Sequence, residues 1–217
     1  MKTILHDKLV NIKAVVGKSR RNVTAKFLDE NNIELRLPKG FYQDIEVWVE
    51  KNKAWLEKAY KRFDKKRPTF RKSSVMYHGQ YYPVRFFFAD ERHVEFDGVQ
   101  LIVKGESIFE VKDYVLEWME QQTTKFVDQY RHIFPKFGVK HVEVKRSITR
   151  WGSCHSGRKI TFNPQLSALP VRLMEYVLYH ELAHTLEMNH SARFKARLKE
   201  LIHDYREREK EMNGYVL

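Results

Sequence analysis

Residues 171–191 read Val171-Arg-Leu-Met-Glu-Tyr-Val-Leu-Tyr-His180-Glu181-Leu182-Ala183-His184-Thr-Leu-Glu-Met-Asn-His190-Ser191. Leu173, Met174, Val177, Leu178 and Leu182 recur with a helical period and cover much of the circumference, so this stretch is expected to be a buried helix. Within it lies the pattern His-Glu-x-x-His. On a helix, positions four apart sit one turn above each other on the same face. The imidazoles of His180 and His184 can therefore share one small ion. Glu181 points about 100° round the axis from His180, beside that ion and free to hold a water. A tetrahedral Zn²⁺ with three protein ligands keeps one open position, where bound water loses a proton near neutral pH. The bland alternative is a hydrogen-bonded pair of core histidines with Glu181 as a paired carboxylate.

The third ligand must come from elsewhere. His190 is six residues past His184, too far along a straight helix. A break at Met188-Asn189 folds it back, because Asn tolerates the left-handed conformation that ends helices. Ser191 then suits the N-cap of the next helix. That helix carries the apolar stripe Phe194, Leu198, Leu201, Ile202 and Tyr205. The competing ligands are Glu200 and Glu207. Glu207 lies in a string of alternating charges and suits a solvent-facing position.

Working outward, residues 8–37 alternate like strands, with turn-like separators at 17–20 and 29–32. Residues 42–64 have helical spacing. Residues 74–104 return to strands, with Asp97-Gly98 as a hairpin signal. Residues 110–134 form a long amphipathic helix. Short strands are expected at 139–148 and 159–163, around the turn-rich segment 151–157. Two helices, about 170–188 and 191–211, end the chain. This pattern predicts an α+β fold in two parts: a β-rich N-terminal subdomain, 1–105, with one helix at about 42–64, and a second domain, 106–217, that carries the chemistry.

The 217 residues hold 40 Lys+Arg against 28 Asp+Glu, a formal charge of +12. With 9 Gly and 6 Pro, the composition excludes collagen-like repeats and long disorder. The single cysteine, Cys154, excludes an intramolecular disulfide and a four-cysteine zinc site. It is read as a small buried residue rather than a fourth ligand. The N-terminal apolar stretch is broken by His6-Asp7-Lys8, too early for a signal peptide, and no stretch is long enough to span a membrane. A cytoplasmic protein with no membrane partner is expected. The basic stretches 18–21, 61–67 and 71–72 each suit a solvated face. If they converge they offer an accessory surface for nucleic acid or nucleotides.

Two C-terminal motifs carry a family resemblance. His180-Glu181-Leu182-Ala183-His184 with Asn189-His190-Ser191 and Phe194 is one. Arg150-Trp151-Gly152-Ser153-Cys154 with Ile160-Thr161-Phe162-Asn163 is the other. Together they resemble the YgjP-like (DUF45) metal-dependent hydrolases, related to the SprT and WLM zincin metallopeptidases. Looser matches at Arg20-Arg21-Asn22-Val23, Leu37-Pro38, Trp55-Leu56 and 77–82 extend the resemblance over nearly the whole chain. Lys195, where the family usually has Trp, and His203, where it usually has Pro, depart from the pattern.

The resemblance implies a zincin-like metallopeptidase core. It makes His180, His184 and His190 the ligands of one Zn²⁺ and Glu181 the general base. It puts Arg150, Trp151, Ser153 and Asn163 near the site, and makes the strand 159–163 the edge on which an extended peptide adds. A peptide or protein is the expected substrate. The alternatives are hydrolysis of a nucleotide phosphoanhydride at the same centre, marked by Lys or Arg ringing the metal, and a nucleic-acid-associated protein carrying a zincin domain.

Overall fold

A computed structural model describes residues 1–5, 8–16, 22–29, 32–64 and 67–217. The expected turn residues 17–20 and 30–31, and the basic residues 18–21 and 65–66, lie outside the described residues. The chain forms a mixed α/β fold of two compact units, Met1–Arg67 and Pro68–Leu217.

In the first unit four strands, β1 (Lys2–Leu5), β2 (Lys8–Val16), β3 (Thr24–Asp29) and β4 (Asn32–Leu37), order as β1-β2-β4-β3. β2 and β4 run parallel. Strand alternation sends Leu5, Val10, Ile12, Ile33, Leu35 and Leu37 to one face, which forms a core with Val49, Leu56 and Tyr60 of the helices. The single helix expected over 42–64 is two, α1 (Ile45–Lys51) and α2 (Lys53–Asp64). Asn52 interrupts them, its side-chain amide donating to the Trp48 carbonyl at 2.9 Å. Asp44 caps α1 by accepting from the N–H of Glu46 and Val47.

Arg67–Pro68 (β5) marks the junction. The second unit opens with β6 (Phe70–Arg71), β7 (Ser74–Tyr77), β8 (Gln80–Phe88), β9 (His93–Phe96) and β10 (Leu101–Gly105), in the order β6-β7-β8-β10-β9. Then come α3 (Val111–Gln129), the strands β11 (His141–Val144), β12 (Gly152–His155) and β13 (Lys159–Phe162), the helices α4 (Val171–His184), α5 (Ala192–Leu201) and α6 (Tyr205–Met212), and β14 (Tyr215–Val216). β14 returns beside Thr69, whose N–H donates to Val216 O at 3.2 Å.

The packing boundary thus falls at Arg67/Pro68, not near residue 105. The reason is a shared core. Val75, Met76, Leu101 and Val103 of the five-stranded sheet are buried with Tyr114, Val115, Trp118 and Met119 of α3, and with the apolar face of α4. Periodicity finds such strands but does not say which core they feed.

α4 is fixed at its start by the β7–β8 turn. His78 and Gly79 both have positive φ, 47° and 83°, which reverses the chain tightly. Their N–H groups donate to Ser167 O and Ala168 O at 3.0 and 2.7 Å. Gly79 lies so near Pro170 that a Cβ would come within 2.6 Å of its Cγ. Buried Thr123 and Ser167 satisfy the backbone between α3 and the turn 164–168. Leu173, Met174, Leu178 and Leu182 are fully buried, as the helical period predicts.

In the small sheet the order is β11-β13-β12. β13 is therefore the central strand, parallel to β11 and antiparallel to β12. The strand expected to be the peptide-binding edge is paired on both sides. The edge beside α4 is β12, the segment expected to be a turn.

Candidate metal centre

His184 ends α4, four residues earlier than the periodicity predicts. The chain turns through Thr185–Asn189 with the Leu186 and Glu187 N–H groups bonded back to Ala183 O. Ser191 then caps α5, its Oγ accepting from Phe194 N–H. This early stop returns His190 to the helix it has just left.

The result is a tight group of three imidazoles. His190 Nε2 lies 3.1 Å from His180 Nε2. One ring nitrogen from each of His180, His184 and His190 lies within 4.8 Å of the others, and these three residues are the one such potential metal-binding group among the described residues. Ring centroids are 4.7–5.1 Å apart. His184 Nδ1 donates to Glu187 O at 3.1 Å, which leaves its Nε2 with a lone pair. Phe194, 2% exposed, lies beneath all three rings at 4.5–5.0 Å and stacks on His184. The sequence reading places Phe194 in an apolar stripe and in the family motif, but gives it no place at the site. Its spacing of four from His190 on a capped helix is the signal that puts it under the cluster.

Burial sets the electrostatics. Loss of solvent lowers the His180 pKa to about 4, with His184 and His190 adding repulsion. His184 is also lowered, chiefly by burial. Both are held as neutral imidazoles, the form that binds a metal. Glu181 is 6% exposed. Burial raises its pKa to about 8, opposed by the Arg150 guanidinium. Among the described residues, nothing hydrogen-bonds to the buried Glu181 Oε2 or His180 Nδ1.

A bound cation fits these residues. Without an ion, one of the two Nε2 atoms at 3.1 Å can donate to the other; with both as acceptors they face one point together with His184, and three neutral nitrogens are a common Zn²⁺ donor set. The orphaned Glu181 oxygen is an acceptor held in a dry place with nothing yet to accept from. Glu200 and Glu207 are both exposed and outside the cluster. Glu200 is instead ion-paired with Arg197 at 3.0 Å. Cys154 is half-buried, its thiol raised to about 11 by burial and then by Glu181, and it is not in the histidine group.

The four other residues expected to line the site fall in different places. Asn163 is 1% exposed and works from inside. Its amide donates to Ser147 O and Arg150 O at 2.7 and 3.0 Å, and its Oδ1 accepts from Gln165 N–H. It holds the loop before β12. Asn163→Asp would turn an oxygen toward two carbonyls, and should lower stability by about 1–3 kcal/mol. The check is a drop in urea midpoint at constant slope. Trp151 is half-buried against the main core. Ser153 is half-buried in β12 and, by strand alternation, faces away from the side on which Gly152 lies. Arg150 is exposed.

The sequence pattern assigns Gly152 no separate role. A Cβ there would lie 2.9 Å from Glu181 Cγ, 3.0 Å from its Oε1 and 3.1 Å from Val177 Cγ1. Only a residue without a side chain lets β12 lie this close to α4 with Glu181 in place. Gly152→Ala is expected to retain metal and lose turnover about 100-fold, the scale of a 1 Å misplacement. In a Glu181→Gln background the same change should add little, since both act on one group.

A mixed α/β fold with a three-histidine cluster and a carboxylate one residue from the first histidine defines a protein with a candidate metal centre. The model of the YgjP-like metallopeptidase domain matches residues 21–215, and the chain belongs to that family. Comparison with curated proteins and with solved structures gives no match. No helix among the described residues is long and apolar enough to cross a membrane.

Proposed function

We propose that this protein is a zinc-dependent peptidase with a zincin-like core, its chemistry carried by residues 106–217 within the second compact unit. The observation that carries the reading is the convergence of His180, His184 and His190 beside a buried, unpartnered Glu181. The three histidines would hold one Zn²⁺, which when bound supplies a Lewis acid for a carbonyl and lowers the pKa of water. Glu181 takes a proton from the attacking water and returns it to the leaving amine, through the oxygen that now has no partner. Gly152 keeps that carboxylate against the strand.

β12 offers the way a peptide would lie. Its pairing to β13 uses one edge, and an extended substrate can add to the other through backbone hydrogen bonds. A nucleotide polyphosphate would call for several cations at the centre. The free edge of β12 beside Glu181 instead suits an extended peptide, so the peptide reading is favoured.

The test is metal content by plasma emission, followed by cleavage of unfolded protein and of mixed peptides with Zn²⁺ restored. Stoichiometric metal with cleavage is expected. A fully loaded protein that cuts nucleoside triphosphates and no peptide would overturn the reading.

A further inference from the structure

Arg150 joins a fixed backbone to an unengaged charge. Its carbonyl accepts from Asn163 Nδ2 at 3.0 Å, and the next carbonyl, of Trp151, accepts from Asn163 N–H at 2.9 Å. Asn163 itself is 1% exposed. The chain at Arg150 is therefore pinned from the protein interior. The side chain is exposed. Nearby Arg146 is engaged by Asp113 at 2.7 Å, and Lys159 by Glu143 at 2.9 Å. Arg150 makes no ion pair among the described residues.

Its place relative to the chemistry follows from the strand. Two residues on, Gly152 touches Glu181 with no side chain between. Arg150 thus stands at the entrance to β12, where a peptide lying along that edge would reach the histidine cluster. It is also the charged group whose field reaches Glu181. A guanidinium presents a rigid, planar fork that matches one carboxylate through two parallel hydrogen bonds.

We propose that Arg150 forms an anion subsite beside the hydrolytic centre and selects peptides that carry a carboxylate next to the scissile bond. The carboxylate is either an Asp or Glu side chain or the free C terminus. The inference rests on the peptidase reading for its substrate, but its test does not depend on turnover.

Zinc-loaded Glu181→Gln protein serves as the non-cleaving host, and binding is read by fluorescence anisotropy. The probes are labelled peptides of one fixed sequence, blocked at both ends, with Glu, Gln or Lys placed at each position in turn. A matched pair with free and amidated C termini completes the set. At one or two adjacent positions, or at the free C terminus, the acid should bind about 10–100-fold more tightly than its neutral counterpart. Which arm responds identifies the source of the carboxylate. The ratio should fall to near one in Glu181→Gln/Arg150→Ala and favour Lys in Glu181→Gln/Arg150→Glu. It should also shrink with added salt.

Arg150→Ala leaves the backbone contacts intact, so folding is not at stake, and an unchanged melting temperature verifies this. Equal affinity for Glu and Gln forms at every position and for both C termini overturns the subsite. So does a ratio that survives Arg150→Ala, which would leave Arg150 acting on Glu181 alone. Failure of the wild-type zinc protein to cut any peptide would instead sink the hydrolytic reading, while the acid-to-neutral ratio stands or falls separately.

Discussion

Glu181→Gln protein is expected to bind metal at wild-type stoichiometry and to lose turnover by about 10²–10⁴-fold, the usual contribution of a positioned general base. The substitution keeps the volume and planar shape of the side chain. It fits against Gly152, where 2.9–3.0 Å leaves no room for anything larger. It removes no candidate metal ligand, since the clustered nitrogens are those of His180, His184 and His190. What it removes is a carboxylate that can gain and release a proton. The amide also changes the buried Oε2 environment, where an orphaned acceptor now stands. The amide leaves a polar atom unpartnered in the same place, so the variant should stay within about 1 kcal/mol of wild-type stability. Plasma emission, a melting curve and a cleavage assay on one preparation check all three statements. Normal activity in a metal-replete variant would remove Glu181 from the mechanism.

His190→Ala is expected to weaken Zn²⁺ binding by about 100–1,000-fold. The scale comes from dividing the binding free energy of a four-ligand zinc site into four comparable shares. His190 is the exposed member of the cluster and belongs to a turn rather than a helix, so its loss should leave the fold intact. Added Zn²⁺ stabilises any state that binds it. The melting temperature of wild type should therefore rise with zinc, and that of His190→Ala should respond only at much higher concentration. Glu207→Ala and Glu200→Ala should titrate like wild type, because both carboxylates lie outside the cluster. Unchanged zinc affinity in His190→Ala, with loss in Glu207→Ala, would reverse the choice of third ligand.

Much of this centre is legible in the order of the residues alone. The spacing of His180, Glu181 and His184 puts three functional groups on adjoining faces of one helix, and the apolar residues around them predict its burial. The return of His190 is legible in part from the Ser191 cap, but the expected left-handed Asn189 is not what breaks the helix: its φ is not positive, and the helix stops at His184 rather than at Met188. Backbone bonds from Leu186 and Glu187 N–H to Ala183 O tighten the last turn there, a closure that apolar spacing does not report. The edge strand is not legible. Gly152-Ser153-Cys154-His155 has no apolar alternation, and its extended form comes from the ladder that β13 supplies. The strand 159–163, which the family resemblance makes the edge, is instead central, and its buried Ile160 and Phe162 suit a strand paired on both sides. Breaks at Asn52 and after Leu201 escape detection because apolar spacing continues across them. The division at Arg67/Pro68 depends on which strands share a core with α3, a property of tertiary packing rather than of local pattern.

The register of β12 on β13 has a consequence for proton transfer. Gly152 pairs with Phe162, Ser153 with Thr161, Cys154 with Ile160 and His155 with Lys159. The glycine faces Glu181 only in that alignment. A slip of one residue either way would put Trp151 or Ser153 opposite Phe162, and a side chain would enter the volume that the carboxylate fills. The strand that would receive a substrate and the group that would move its proton are thus indexed to each other by four residue pairs. A misaligned sheet could leave the histidine cluster whole and still be chemically silent, so metal content alone would not report correct folding of this protein.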